Sequence, residues 1–144
     1  MFLQRTLKST IRATGVGLHS GEKVTLVLKP APENSGIVFH RVDLPESAPF
    51  RVEPSLVNDT RLSSTLVKDG VRVGTIEHLM SAFAGLGLDN VIVEVDAPEM
   101  PIMDGSAAPF IYLIQSAGIV DQSEPKRFVR VLKPVEAQDG DKWV

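Results

Sequence analysis

At positions 75–87 the sequence reads TIEHLMSAFAGLG, and here the spacing of the apolar residues changes from that of strands to that of a helix. The apolar residues fall at i, i+3, i+4 and i+7, which is the pattern of a helix with one buried face. They are Ile76, Leu79, Met80 and Phe83. Thr75 is a candidate N-cap, and Gly85 and Gly87 are typical of a helix end, so we predict a helix over residues 76–84.

Before this helix the sequence indicates strands. Residues 23–29 alternate cleanly between apolar and polar, and the dipeptide Asp69-Gly70 predicts a tight turn between two short strands. Prolines between residues 44 and 54 indicate an irregular loop or an edge strand. The strands predicted in this part of the chain are 5–14, 23–29, 36–42, 64–68 and 71–73.

After the helix, residues 90–95 predict a central strand, because apolar residues occupy both of its faces. Ser106 could cap a second helix over residues 107–117, with Gly118 as its end.

The composition then becomes polar over residues 121–126, which reads as a linker. Residues 128–132 predict a further strand, and its partner begins after a turn at Asp139-Gly140. A hairpin with its second strand cut short has nowhere to bury its apolar face. We therefore divide the chain into a first domain over 1–120, a linker over 121–126 and the beginning of a truncated second domain over 127–144.

The composition excludes several classes of protein. The 144 residues carry a net charge of −3, with 15 basic and 18 acidic residues scattered along the chain, so nucleic acid is not expected as a partner. The absence of cysteine excludes disulfides and cysteine-based metal sites. The most apolar stretch, residues 79–88, is shorter than the ~20 residues that span a bilayer, and the N-terminus lacks the apolar run of a signal peptide. We expect a cytoplasmic protein without a membrane span.

The adjacent residues Glu77 and His78 give the densest chemical signal. An imidazole can bind zinc, and a neighbouring carboxylate can take the proton from the metal-bound water. The alternative is an exposed acid at a helix N-terminus beside an ordinary polar histidine, and the pair alone favours this alternative. The motif His-Glu-x-x-His is absent, and a catalytic zinc needs three protein ligands. His40 falls in a predicted strand and is expected to be structural, so the residues alone supply one convincing ligand.

Two turn-rich segments are further candidates. Residues 13–21 are rich in glycine and contain His19, but a plain turn between two strands explains them and is the favoured interpretation. Residues 98–107 lead into the second helix and contain Asp104, which could be catalytic. Such an aspartate more often fixes its own loop by accepting hydrogen bonds from nearby backbone N–H groups.

Taken together, these segments resemble one family. QRTL at 4–7, TGVGLHSG at 14–21, TIEHL at 75–79, AGLGLDN at 84–90, PIMDGSA at 101–107 and GDKW at 140–143 occur in this order in the UDP-3-O-acyl-N-acetylglucosamine deacetylases. These enzymes catalyse the committed step of lipid A synthesis in Gram-negative bacteria. The resemblance implies an α+β fold, a two-layer domain of sheet and helices that is the first of two similar domains packed helix layer to helix layer.

The resemblance also implies roles for individual residues. His78 corresponds to the first ligand of a catalytic Zn²⁺, and Glu77 to the general base. Leu18, His19 and the segment Arg61-Leu62-Ser63 match positions near the zinc and the acyl chain of the substrate. Arg61 and Ser63 depart from the pattern, since some relatives have an apolar residue and a cysteine at these positions.

The resemblance further implies that this chain carries only part of the active site. The family's other zinc ligands, a histidine and an aspartate, have no counterpart in these 144 residues. The function predicted is therefore zinc-dependent hydrolysis of the N-acetyl group of UDP-3-O-acyl-N-acetylglucosamine. The second domain of the same enzyme would complete the site, and the 144-residue chain alone would be inactive.

Two other interpretations remain at this point. The chain could be a non-catalytic binding or self-associating α+β module, with the apolar stripe of the first helix and the apolar residues 110–114 partly exposed. It could also be a structural α+β domain without activity, if the resemblance were accidental.

Overall fold

The computed structural model describes residues 2–144, which form an α+β fold. The helices are α1 (Glu77–Leu86) and α2 (Ala108–Ala117), and a single 3-10 turn spans Pro54–Leu56. The strands are β1 (Leu3–Leu7), β2 (Ile11–Val16), β3 (Lys23–Pro30), β4 (Ile37–Arg41), β5 (Phe50–Arg51), β6 (Val57–Asp59), β7 (Thr65–Lys68), β8 (Val71–Val73), β9 (Val91–Val95), β10 (Ile119–Pro125), β11 (Gln138–Asp139) and β12 (Lys142–Trp143).

The largest sheet has five strands in the order β2-β3-β9-β4-β5. Strand β9 runs antiparallel to β3 and parallel to β4, which confirms its predicted central position. Smaller sheets pair β1 with β10, β6 with β7 and β8, and β11 with β12. The hairpin predicted around Asp69-Gly70 is β7-β8, and both turn residues have the positive φ angles that a tight turn of this kind requires, +50° and +81°.

The two helices share one hydrophobic core with the five-stranded sheet. Every second residue of β3 is buried, namely Val24, Leu26 and Leu28. Helix α2 contacts both α1 and strand β2. The chain therefore has the two-layer arrangement of sheet and helices that the resemblance implied.

The start of the first helix differs from the prediction. Helix α1 begins at Glu77, with Ile76 at the N-cap position, so Thr75 is not the N-cap. Thr75 instead has a φ of +57°, and its hydroxyl donates a hydrogen bond to Glu99 Oε1 at 2.9 Å. The Thr75 hydroxyl thus bonds to a residue distant in the sequence and does not cap the start of the helix.

Residues 5–14, predicted as one strand, are two strands in different sheets. The chain changes direction between them, where Lys8 N–H donates to Gly118 O at 2.9 Å and Ser9 Oγ donates to Ala117 O at 2.8 Å. The end of α2 therefore fixes this bend, and sequence alternation alone gives no sign of it.

The predicted linker is largely strand. Residues 119–125 form β10, which pairs with β1 and returns the chain to the N-terminal strand. Residues 128–132 form no strand, and the apolar side chains of Phe128, Val129 and Leu132 are exposed. The division into domains at 120 and 126 remains a prediction.

The helix faces named by the binding-module interpretation are mostly buried. Ile76, Leu79 and Phe83 of the predicted stripe are 4% exposed or less, as are Phe110 and Ile114. Met80, Ile111 and Leu113 are half-buried, and Tyr112 exposes 72% of its surface. The expected partial exposure therefore holds for some of these residues only, because α1 and α2 bury the others against each other and the sheet.

No helix among residues 2–144 has the length and apolar character needed to cross a membrane.

Two glycines are expected to respond in opposite directions to the same substitution. Alanine at Gly70 has free space but must adopt φ of +81°, so Gly70→Ala should lower the free energy of unfolding by about 1 kcal/mol. Gly85 lies inside α1, also with free space around it, and Gly85→Ala should raise it by about 0.5–1 kcal/mol. Urea denaturation of both variants checks this. A rise in Gly70→Ala would contradict the turn assignment, and a fall in Gly85→Ala would contradict the prediction for the helix.

Candidate functional site

A cleft of about 360 Å³ opens where segments distant in the sequence meet. Its walls come from the loop after β2, the segment between β6 and β7, the residues that join β8 to α1, and the residues after β9. These are the regions that carry most of the motifs quoted from the sequence.

Backbone hydrogen bonds fix these segments together. Gly74 N–H donates to Pro98 O at 2.8 Å, and Met100 N–H donates back to Gly74 O at 2.9 Å. Ile102 N–H donates to Val16 O at 2.9 Å. The segment after β9 therefore joins the end of β2 to the residues that lead into α1.

Glu77 is the first residue of α1 and is half-buried. Its Oε2 accepts a hydrogen bond from Ser64 N–H at 3.0 Å, and Ile76 N–H donates to Ser64 O at 3.2 Å. The helix N-terminus also favours a negative charge at this position. The carboxylate thus has a fixed position, with one oxygen bound to the backbone beside the predicted substrate segment 61–63.

His78 follows Glu77 on α1 and is half-buried. Asp104 lies close enough for the charge of His78 to act on it. The pKa of Asp104 is lowered chiefly because Ser106 donates to Oδ1 from its hydroxyl, at 2.8 Å, and from its N–H, at 2.9 Å; the charge of His78 adds a smaller effect. The hydrogen bonds confirm that Asp104 fixes its own loop ahead of α2.

Zinc fits this chain only in part. The imidazole of His78 is a suitable ligand, but among residues 2–144 no three histidine, aspartate or glutamate side chains are grouped so as to hold a metal ion. Because a catalytic zinc takes three protein ligands, these residues do not form a complete zinc site by themselves.

The predicted substrate residues divide into two groups. His19, Arg61 and Ser63 lie on the cleft wall. Leu18 and Leu62 are not part of that wall, and they expose 58% and 90% of their surface. The structure thus brings three of the five together, and contact of any of them with a substrate remains a prediction.

Arg61 is an exposed side chain held by an acid. Its Nε lies 3.2 Å from Asp59 Oδ1, and Arg72 Nη2 lies 2.8 Å from Asp59 Oδ2. Hydrogen bonds from Arg61, and then from Arg72, hold the pKa of Asp59 well below its usual range. The cleft therefore carries two guanidinium groups on one ionised carboxylate.

Sequence reasoning missed Glu99, which lies on the same cleft wall and is only 5% exposed. Its Oε1 accepts from Thr75 Oγ1 at 2.9 Å, and its Oε2 accepts from Ser20 N–H at 2.8 Å. His19 N–H lies 3.1 Å from both oxygens. A charged residue between Ala97-Pro98 and Met100-Pro101 was the available signal, since an acid in so apolar a segment needs partners.

Glu99 also predicts a dependence of stability on pH. Burial raises the pKa of this carboxyl, but the hydrogen bonds from Ser20, His19 and Thr75 outweigh it, and the pKa lies below its ordinary value. A carboxyl with a lowered folded pKa contributes stability above its unfolded pKa and loses it as the pH falls. Parent and Glu99→Gln should therefore differ most in unfolding free energy near pH 7 and converge below about pH 4. A difference that stayed constant over this range would contradict the prediction.

Comparison with known proteins identifies close relatives. Residues 4–144 match the sequence profile of LpxC, described as UDP-3-O-acyl N-acetylglycosamine deacetylase. A UDP-3-O-acyl-N-acetylglucosamine deacetylase of Chromobacterium violaceum is 70% identical over 145 residues, which cover 100% of this chain and 48% of the relative. The deacetylases of Methylococcus capsulatus and Vibrio campbellii are 62% and 59% identical, each over 99% of this chain and 47% of the relative. The chain spans about half the length of the curated relatives it matches.

Proposed function

This chain belongs to the LpxC family of UDP-3-O-acyl N-acetylglycosamine deacetylases, and on that premise we propose that it provides one half of a deacetylase active site. The reaction would be hydrolysis of the N-acetyl group of UDP-3-O-acyl-N-acetylglucosamine, in lipid A biosynthesis in the cytoplasm. The observation that carries the proposal is the Glu77-His78 pair at the start of α1, with Glu77 anchored to Ser64 N–H beside the cleft wall.

Glu77 would act as the general base of this reaction. Its carboxylate keeps one oxygen on Ser64 N–H, at 3.0 Å from Oε2, which leaves the other oxygen to take a proton from the attacking water. The carboxylate belongs to the first residue of α1. Ser64 and the start of the helix therefore fix the position of the base.

His78 would be one zinc ligand, and the others would come from the part of the relatives that this chain does not match. Zinc bound there would polarise the acetamide carbonyl and lower the pKa of its water. The acid that protonates the leaving amine would also belong to that other part. The resemblance implies this division, and the ligand count agrees with it, because a catalytic zinc takes three protein ligands.

The cleft would bind the substrate. Glu77 and His78 are not on its wall, but Ser64, which bonds to Glu77, lies between the wall residues Ser63 and Thr65. His19, Arg61 and Ser63 supply polar groups on its wall. Leu18 and Leu62, both exposed, would contact the acyl chain. Leu62 also has a φ of +64°, an uncommon angle for a bulky residue other than glycine.

The test is deacetylation of UDP-3-O-acyl-N-acetylglucosamine in the presence of zinc. The assay compares this chain alone, the unmatched part of the Chromobacterium violaceum relative alone, and the two mixed after each is shown to be folded. Activity only in the mixture supports the divided site. Activity of this chain alone, or none in a mixture shown to associate, would reject it.

A non-catalytic, self-associating module is the second candidate, for a reason other than the helix faces first considered. Phe128, Val129 and Leu132 expose 69%, 98% and 83% of their surface, and Trp143 exposes 79%. Apolar side chains so exposed favour association. Size-exclusion chromatography at high concentration separates the candidates, because a clean monomer that becomes active only with its other half contradicts the module.

A further inference from the structure

One carboxylate on the cleft wall joins the loop after β2 to the segment that leads into α1, the helix that begins with Glu77 and His78. Glu99 binds the backbone of the loop after β2 through Ser20 N–H, at 2.8 Å from Oε2, and through His19 N–H, at 3.1 Å from both oxygens. The same carboxylate accepts from Thr75 Oγ1 at 2.9 Å. Glu99 therefore connects the loop that carries His19 to the residue two positions before Glu77.

The loop lies directly against this carboxylate. A Cβ placed on Gly17 would lie 2.6 Å from Glu99 Oε2, closer than real Cβ atoms approach. Gly17 is itself buried, and Gly21 N–H donates to Gly17 O at 3.0 Å, which closes the turn. Gly17 belongs to a segment predicted to be a plain turn. Because it has no side chain, the Glu99 carboxylate can approach the backbone of the loop.

The other contact of Glu99 holds a strained residue. Thr75 is β-branched and 3% exposed, and its φ of +57° lies in the left-handed region that such residues rarely adopt. A residue held there is strained, and its conformation persists only where surrounding contacts determine it. The hydroxyl of Thr75 on Glu99 is one such contact, and the direction in which α1 begins depends on Thr75.

We infer that Glu99 is a positioning residue for the deacetylation proposed above, since it sets the loop of His19 relative to the Glu77-His78 pair. It acts through these residues and has no role of its own in bond making. The inference rests on the proposed function for its effect on turnover. The coupling of the two segments through Glu99 can be measured without any substrate.

The turnover test uses this chain mixed with the unmatched part of the Chromobacterium violaceum relative. A glutamine at position 99 has one acceptor oxygen, whereas the carboxylate has two and uses both. Glu99→Gln should therefore lower kcat about 10- to 100-fold with KM changed by less than about threefold. Thr75→Val keeps the branched shape at the strained angle but removes the hydroxyl, and it should lower kcat in the same way. Thr75→Ser keeps the hydroxyl and should restore kcat to near the parent value.

Thr6→Val is the matched control for mere loss of a buried hydrogen bond. Thr6 is 6% exposed, and its hydroxyl bonds to Asn90 O at 2.6 Å and to Ala31 N–H at 3.0 Å, away from the cleft wall. This variant should lower Tm while leaving kcat unchanged. If Glu99→Gln also lowered Tm but left kcat within about threefold of the parent, the positioning role would be overturned.

Amide hydrogen exchange separates this inference from the proposed function. Thr75→Val should speed exchange of the Ser20 amide about tenfold, because Glu99 transmits the change between segments that are 55 residues apart in sequence. Thr6→Val should not. Unchanged exchange at Ser20 in Thr75→Val overturns the coupling. An inactive parent mixture overturns the proposed function instead, and exchange then decides the coupling alone.

Discussion

Replacing Glu77 with glutamine should reduce deacetylation by about 10²- to 10⁴-fold, the contribution of a general base, while the fold stays intact. Glutamine keeps a carbonyl oxygen that can accept the hydrogen bond from Ser64 N–H, which Glu77 Oε2 accepts at 3.0 Å. It cannot take a proton from water. The substitution therefore separates the chemical role from the structural one, and kcat of the mixture described above measures the first.

Two further variants make the result specific. Glu77→Ala also removes the partner of Ser64 N–H, so it should lose the same turnover and lower the unfolding free energy by about 1 kcal/mol as well. Glu53→Gln changes an exposed glutamate outside the cleft and should leave both quantities unchanged. If Glu77→Gln kept kcat within about threefold of the parent, Glu77 would not be the base.

Local chemistry was enough to predict several elements of this fold. Strand β3 alternates because alternate side chains enter the core, and the Asp69-Gly70 turn needs positive φ values that this dipeptide supplies. The stripe of α1 follows from the helical period. In each case the determining residues lie within one element or one turn of each other.

The errors concern contacts between residues far apart in the sequence. Strand β10 looked like a linker because its side chains are polar, yet it pairs with β1, and Leu3 lies opposite Pro125. A two-stranded sheet at the edge of the molecule can form from polar residues, since its backbone groups pair whatever the side chains are. Thr75 was predicted to be an N-cap because the partner of its hydroxyl, Glu99, lies 24 positions away and gives no local signal.

The candidate site shows the same limit. The pair Glu77 and His78 stood out in the sequence, but alone it favoured an ordinary helix start. Its assignment as base and zinc ligand comes from the resemblance of several weak motifs to one family and stays a prediction. Glu99 belongs to no chemical motif, and its importance comes from Ser20 and Thr75, which lie 79 and 24 positions away. A positioning residue of this kind becomes visible when the fold brings its partners together.

The second large effect is expected on metal binding. His78→Ala in the mixture of both halves should weaken zinc binding by more than about 100-fold, because loss of a direct ligand exceeds the 10- to 100-fold loss seen when a residue that orients a ligand is removed. Zinc retained after dialysis against a weak chelator, measured by mass spectrometry, should fall from about one ion per complex to a small fraction.

His40→Ala is the matched control, because it removes an equally half-buried imidazole from the same chain. His40 lies on β4 in the five-stranded sheet, opposite Glu94 of β9, whereas His78 lies at the start of α1. It should keep the zinc content of the parent. If His78→Ala kept its zinc while His40→Ala lost it, the ligand would be on the sheet and the proposed site would be wrong. Loss in both variants with unchanged Tm would also contradict it, since the proposed site contains only His78 of the two.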